Sequence, residues 1–598
     1  MYTTIDLFAG AGGLSQGFEQ TGKFRIVLAA ENNGNAANTY RKNHPHTEIR
    51  DDVRSIDYAD VRRKYGAVDL VIGGPPCQGF SNANRQKAAI STNNGLVKEF
   101  VRAVRELRPA IFVMENVSML KSETHRFYCA SEDMIELARL QIPTEEDRIA
   151  LTGYFPELSE AIEDIKSSLI RYREYIWDEK FYHAVNVLYK RLSNADKFKI
   201  SWEKYSNGLK KYAQSKNRCL PADRVGAAYL VLYNIIGETA KAAEDLSALK
   251  TAVRTANQFQ RLYRQYKEVV SNHITADGFE WEKGIAVKVK SYSVLDYIKC
   301  SLEREMFPYN INYEVLNAAD YGAPQRRERF VIIGSRIGMK PLMPQPIFKE
   351  ADYRTVRDAI EDLELVPPST DPDAASFLLP NYDTVEKPLL KQLRNNSRIE
   401  NHFITATKET AQERFDALEE GGNFHTLPDH LKSTYSDGKR TQSTIYLKLK
   451  YDEPSGTVVN VRKSMWVHPA LSRALSVREA ARLQTFPDSY VFTGTKDSQY
   501  QQVGNAVPPI LANAIATQIA QYMDSYSSAP LPERLINEMI ANPESTQREL
   551  ANRLDVSQAT ISNYVRAFIN KGKIERIPLE GRRSKWVVKA ERMMLVRS

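Results

Sequence analysis

The stretch "TTIDLFAGAGGLSQGF", Thr3 to Phe18, decides the fold. Its first half is a short apolar run of strand type, and its second half is a glycine-rich loop that leads into a helical pattern. "FRIVLAAE", "VDLVIGG" and "AIFVMENV" follow as further strand-like runs with helical patterns between them, up to about residue 120. Alternation of this kind predicts parallel strands joined by helical crossovers, an α/β doubly wound, Rossmann-like sheet. Gly10, Gly12 and Gly13 allow the backbone to approach a ligand closely and to open a helix N-terminus. Ser15 stands where a G-x-G-x-x-G fingerprint would have its third glycine, which favours a nucleoside site over a pyrophosphate cradle. Glu31 follows at the end of the next strand run, where a carboxylate would accept hydrogen bonds from ribose hydroxyls, and Asp52 would meet the next part of the same ligand. Taken alone, the loop is also compatible with a plain tight turn.

The alternation stops after residue 120. Residues 121–290 are rich in Lys, Glu, Tyr, Ala and Leu and read as a mostly helical insertion. "INYEVLNAAD" and "RFVIIGS" restore the strand pattern, so 291–340 is expected to complete the sheet begun in 1–120. Residues 341–470 are punctuated by proline, with "STIYLKLKY" and "GTVVNVR" as β-like pieces of a second lobe, and 471–526 is helical and returns to the core. The last segment, 527–598, carries 13 Lys and Arg against 8 Asp and Glu, a net +5 out of +8 for the chain, which suggests contact with a polyanion.

Composition excludes several classes. With 42% hydrophobic and 26% charged residues the 598-residue chain is of ordinary globular type. It shows neither an apolar run of membrane-spanning length nor a signal-peptide pattern, so a cytoplasmic location is expected. Its four cysteines, Cys77, Cys129, Cys219 and Cys300, form no C-x-x-C pair and its histidines are scattered, so neither a disulfide framework nor a metal site is expected. Cys77 stands apart in "GGPPCQGFS", Gly73 to Ser81, directly after an apolar run. Two glycines and two prolines restrict the approach to that thiol, a setting that suits a group presented for chemistry better than one filling a core.

The motifs "DLFAGAGGLSQGF", Glu31, "DDV", "GGPPCQGFS", "ENV", "NAADYGAPQRRERFVIIG", "SVREAARLQTFPD" and "QVGNAVPP" occur in that order. Together they resemble the S-adenosylmethionine-dependent cytosine-C5 DNA methyltransferase family over roughly half the chain. The resemblance implies Cys77 as the nucleophile that adds to cytosine C6, and Glu115 as the acid that holds a proton at N3 of a flipped base. Arg329 would contact the cytosine O2, and Arg327 would orient Glu115 or meet a phosphate. It further implies a cofactor site made of Phe8, Ala9, Gly10, Gly12, Gly13, Leu14, Glu31, Asn32, Asp52, Val53, Pro75, Leu96, Asn505, Ala506 and Val507. DNA contacts are expected from Gln78, Ser81, Asn116, Gln325 and Thr457, with 341–470 in the position of the family's target-recognition domain. "NNGLVKEF" departs from the family by lacking the Asp-Pro-Arg usual before its leucine.

The tail resembles a winged helix-turn-helix. Thr546 and Glu549 form a capping-box pattern, Ser557 an N-cap, and Ile561, Val565, Phe568 and Ile569 a helical apolar stripe. "KIERIPLEGRRSKWVV" reads as a hairpin, with Gln558, Thr560, Asn563 and Arg566 as groove-facing residues and Arg582 and Arg583 on the wing. The expected partners are double-stranded DNA and a cognate restriction or other defence protein. An RNA cytosine methyltransferase and a non-catalytic DNA-binding regulator are the alternatives.

Overall fold

The computed structural model describes residues 1–76, 94–121, 126–216, 220–237, 246–282, 284–304, 308–337, 340–374, 376–380, 387–433, 438, 441–541, 543–554, 556–578 and 584–588. They fall into two compact units, one drawn from 1–76, 95–121 and 301–588 and the other from 126–300.

The first unit is built on a seven-stranded sheet of order β10-β11-β5-β4-β1-β2-β3. Strands β1 (Tyr2–Leu7), β2 (Phe24–Ala30), β3 (Glu48–Arg50), β4 (Leu70–Gly73) and β5 (Ile111–Val117) are mutually parallel. β10 (Asn310–Asn317) and β11 (Glu328–Ser335) close the sheet antiparallel beyond β5. The chain winds from β1 out to β3 and then restarts at β4 on the other side of β1. The crevice of such a sheet opens outside the carboxyl ends of these strands, at the point where the order reverses.

Parallel strands buried on both faces need apolar residues at successive positions, and β5 shows why. Its Val113 faces the core shared with Leu511, Ile515 and Ile519 of the helix Pro509–Ser528. Its neighbour Phe112 points the other way and meets Phe100 of the helix Asn94–Leu107, with ring centroids 6.2 Å apart. Residues 509–528 therefore return to the sheet, although some 400 positions separate them from β5.

Residues 341–470 correct the sequence reading. Their only named strands among the described residues are the two-residue pair β12 (Phe377–Leu378) and β13 (Arg398–Ile399). "STIYLKLKY" and "GTVVNVR" are not strands. Tyr446, Leu449 and Tyr451 are buried in local cores at 3–6% exposure, and Tyr446 adopts φ +54°, so their alternation reflects packing of an irregular chain.

The tail comprises helices Leu531–Ala541, Gln547–Leu554 and Gln558–Asn570, then the hairpin of β14 (Ile574–Pro578) and β15 (Ser584–Val588). The Thr546–Glu549 capping box forms reciprocally and Ser557 caps the third helix. Leu550, Leu554, Ile561, Val565 and Phe568 share a core with Trp586, whose indole donates to the Ser545 carbonyl at 2.7 Å. Ile569, expected inside, is 47% exposed because it falls one position beyond the buried stripe.

The second unit is helical, as its composition predicts, but also holds a four-stranded antiparallel sheet. β9 (Gly284–Ser293) is its hub, pairing with β7 (Glu145–Gly153), β6 (Arg126–Tyr128) and β8 (Ala276–Glu280). β7 alternates exposed charge with buried Ile149 and Leu151, a half-buried pattern hidden within a segment of helix-forming composition. Trp177, Tyr229 and Tyr263 are buried at the heart of this unit, where the Gln260 amide donates to the Tyr229 hydroxyl at 2.8 Å.

Candidate active site

The glycine loop leaves β1 with Phe8 at φ +60°, Gly10 at +56° and Gly12 at +89°. Their two oxygens separately engaged, the carboxylate of Glu31 accepts from the Gly10 N–H at 2.8 Å and from the Asn33 N–H at 2.7 Å. This fixes the loop to the end of β2. Burial raises the Glu31 pKa, while the two backbone donors oppose that shift.

The glycines serve two different purposes. A Cβ on Gly10 would meet open space, as expected for a face turned toward a ligand. A Cβ on Gly12 would lie 2.5 Å from the Tyr490 hydroxyl and 2.7 Å from His44 Nε2. One on Gly13 would collide with the Val507 carbonyl, so "GNAVPP" packs directly on the loop. We expect Gly10→Ala to cost only the left-handed backbone penalty of about 1–2 kcal/mol. Gly12→Ala adds overpacking of about 1–3 kcal/mol, and urea unfolding followed by near-UV circular dichroism should separate the two variants.

Beneath the loop lies a network that sequence reasoning missed. Tyr490 donates to the Ala11 carbonyl and pairs with His44 Nε2 at 3.0 Å, and His44 Nδ1 reaches Glu19 at 2.7 Å. Ser15, read only as a missing glycine, donates to Asp6 at 2.6 Å and sits 2.7 Å from the Tyr40 hydroxyl. Full burial pushes the Asp6 carboxyl up to about 8. No local signal announces these contacts, since Tyr490 and His44 are 446 positions apart.

Of the remaining cofactor candidates, Ala9, Leu14, Val53, Pro75, Ala506 and Val507 are buried around this end of the sheet, and Leu96 is half-buried on its helix. Asn32 is exposed. The Asp52 carboxylate is occupied by Arg54 at 2.8 Å, which lowers its pKa. Asn505 is exposed and accepts from the Gln501 amide at 2.7 Å. The open face at Gly10, the loop backbone and the Glu31 carboxylate lie together at the carboxyl ends of β1 and β2.

One strand-end away, Gly74 and Pro75 lead toward Cys77. Cys77, Gln78 and Ser81 lie outside the described residues, as do Arg582 and Arg583 of the wing. A Cβ on Gly74 would stand 2.8 Å from Glu115 Oε2, so this approach passes directly against that carboxylate. Asn116 donates from Nδ2 to the Pro75 carbonyl at 2.9 Å and is 5% exposed. It anchors the loop, which corrects its assignment as a DNA contact.

Glu115 pairs with Arg329 across the β5–β11 register, Oε1 to Nε 2.6 Å, with both side chains about one-eighth exposed. Burial raises the Glu115 pKa, while the positive charges of Arg329 and then Arg327 pull against it. Arg327 is itself fully buried, donating to the Val458 carbonyl at 2.7 Å and the Gly504 carbonyl at 2.9 Å. Its guanidinium ties Val458 to the "GNAVPP" turn, and its charge still acts on Glu115.

Gln325 is also corrected. It is 0% exposed, donating to the Leu483 carbonyl at 2.8 Å and accepting from the Val458 N–H at 3.1 Å. A buried amide with these partners holds two segments together and is not free to read a base. Thr457 remains exposed, with its hydroxyl donating to the Arg326 carbonyl at 2.9 Å. On the tail, Gln558, Asn563 and Arg566 are exposed, whereas the Thr560 hydroxyl lies 2.8 Å from the Ser557 Oγ within the helix cap.

A doubly wound sheet thus carries a glycine loop pinned by Glu31 beside a buried acid–guanidinium pair. Residues 2–280 and 283–521 match the C-5 cytosine-specific DNA methylase family, and the chain belongs to it. Residues 531–575 match a winged helix-turn-helix DNA-binding family. The chain is 26% identical over 522 residues to the Type II methyltransferase M1.HphI of Haemophilus parahaemolyticus, covering 86% of each chain. It is 24% identical over 583 residues to the Type II methyltransferase M.DdeI of Desulfomicrobium norvegicum, covering 94% of this chain and 99% of that one. It is also 26% identical over 550 residues to the DNA (cytosine-5-)-methyltransferase M.ApeKI of Aeropyrum pernix, covering 88% of this chain and 99% of that one. Membership makes this chain an enzyme of cytosine-C5 methyl transfer with a methyl donor of S-adenosylmethionine type.

Proposed function

We propose that the enzyme methylates C5 of a cytosine in a specific double-stranded DNA sequence through a covalent adduct with Cys77, and that its methyl donor is S-adenosyl-L-methionine. Cytosine C5 is a poor nucleophile until another atom adds to C6. The Cys77 thiolate forms the S–C6 bond while Glu115 delivers a proton to N3, leaving C5 enamine-like. Bound S-adenosylmethionine supplies an electrophilic methyl group on a sulfonium. After transfer, a water or hydroxide takes the C5 proton, the S–C6 bond breaks to restore the thiolate, and N3 returns its proton to Glu115. Arg329 holds the Glu115 carboxyl in place and offers a donor to the cytosine O2.

Glu31 and the Phe8–Gly13 loop bind the nucleoside part of the donor, with Phe8 against the adenine. The target base is extruded from the duplex, as chemistry on a base ring requires. The observation that carries this reading is the Glu115–Arg329 pair at 2.6 Å, against which Gly74 leads the chain toward Cys77. Likeness to proteins named Type II methyltransferases supports a role in marking DNA beside a restriction or related defence nuclease in the cytoplasm.

Tritiated S-adenosylmethionine tests the substrate. The full chain should place label in unmethylated plasmid DNA, recovered as 5-methyldeoxycytidine after nuclease digestion. Label recovered only in transfer RNA would overturn the DNA assignment.

A further inference from the structure

Among the described residues, the glycine loop, Glu31, Gly74 and Glu115 lie at the carboxyl ends of β1, β2, β4 and β5, with Arg329 brought to that same edge by the antiparallel register Arg329↔Val117. The tail is joined to the molecule at the other edge. The helix Pro509–Ser528 starts against the glycine-loop helix, where Asn513 donates to the Gly17 carbonyl at 3.2 Å. It ends beyond Asp524, which accepts from the hydroxyl of Tyr2, the first residue of β1, at 2.6 Å. Its 20 residues span about 30 Å.

The winged helix-turn-helix is held at that far end. Glu538 accepts from the Tyr526 hydroxyl at 2.6 Å. Arg553, 5% exposed, donates to the Arg336 carbonyl at 3.4 Å. Arg336 follows the last residue of β11 and donates from Nε to the Arg108 and Pro109 carbonyls, each at 2.8 Å, just before β5 begins. Glu115 lies four residues along β5 from its first residue, roughly 13 Å of strand. The docked elements are the first two tail helices. The third turns Ile561, Val565 and Phe568 inward and leaves Gln558, Asn563, Arg566 and Asn570 exposed, in a segment of net charge +5.

We infer that the winged helix-turn-helix grips a second DNA duplex, separate from the one in the catalytic cleft, so that one chain bridges two DNA segments. This rests on the reading of both sites as DNA-binding. For a single duplex to serve both, it would have to bend round from one edge of the sheet to the other, past the length of the Pro509–Ser528 helix. DNA with a persistence length of about 150 bp resists such a bend unless contacts follow it throughout, as they do around a histone core. A second segment, or a distant stretch of the same molecule returning as a loop, needs no such deformation.

The bridge is read by capture. A biotinylated 20-bp duplex with the methylation site, loaded with the full chain at low salt, is offered a fluorescent pool of random-sequence 40-bp duplexes. Wild-type protein should retain the pool. Asn563→Asp/Arg566→Glu, both exposed on the third helix, should lower that retention at least tenfold more than it lowers kcat/KM on the short duplex. Absence of retention by an active wild-type chain would overturn the inference, and so would a parallel fall of retention and kcat/KM. Should no methyl transfer occur at all, the catalytic reading fails. Capture between a biotinylated and a fluorescent random pool, wild type against variant, still decides the bridge.

Discussion

Replacing Cys77 by serine is expected to lower methyl transfer by about 10⁴-fold or more while the protein still binds DNA and cofactor. The size of the loss follows from the chemistry. Without addition at C6 there is no electron-rich C5, and a serine hydroxyl is barely ionised at neutral pH, whereas a cysteine near its ordinary pKa of about 8.5 already supplies some thiolate. Duplexes with 5-fluorocytosine at the target position give an independent readout. Fluorine cannot leave as a proton does, so wild-type protein should remain covalently attached and migrate as an adduct in denaturing gels, and Cys77→Ser should not. An adduct formed by the serine variant would remove Cys77 from the mechanism.

Glu115→Gln is the second large effect, a loss of roughly 10²–10⁴-fold in kcat/KM, the range of a positioned general acid. The amide keeps the shape and one donor but has no proton to transfer. Its pH profile is more telling than the rate. Burial raises the Glu115 pKa above the ordinary carboxylate value, so the protonated form persists further toward neutrality and is lost as pH rises through that folded value. Wild-type kcat/KM should therefore bend downward on an alkaline limb set by this group. The Gln variant should lack that limb and retain only the rise that tracks thiolate formation. An unchanged alkaline limb in Glu115→Gln would assign it to another group.

What the sequence discloses about this protein is what is local in the chain. The strand runs of β1, β2, β4 and β5 and the glycine turn into the first helix are read correctly because a short window holds their pattern, and the capping box at Thr546 and Glu549 is legible for the same reason. Gln325, Arg327 and Arg329 show where such reading stops. The resemblance gave all three a role at the base or the DNA, but β11 begins only at Glu328. Gln325 and Arg327 precede it and are drawn into bonds with Val458, Leu483 and Gly504, more than 130 positions away. Arg329 alone reaches Glu115.

The Tyr490 contact with the Ala11 carbonyl has the same character, for nothing in "FPDSY" specifies a partner 479 positions earlier. Its trace in sequence is Gly12, a glycine required by a neighbour as well as by its own backbone angle. Composition misled in two places. β7 and β9 were hidden in a helix-forming background, while the alternating "STIYLKLKY" owes its pattern to side chains buried along an irregular chain with a single isolated bridge, Lys448 to Val467, among the described residues.

The most direct measurement is bisulfite sequencing of DNA from a methylation-free bacterial host that expresses the full chain, beside the same host expressing Cys77→Ser. Protected cytosines in one short recurring context, present with the wild type and absent with the variant, are the predicted result and would also reveal the recognition sequence. Soluble, folded wild-type protein that leaves every cytosine convertible, or equal protection by both proteins, would contradict it.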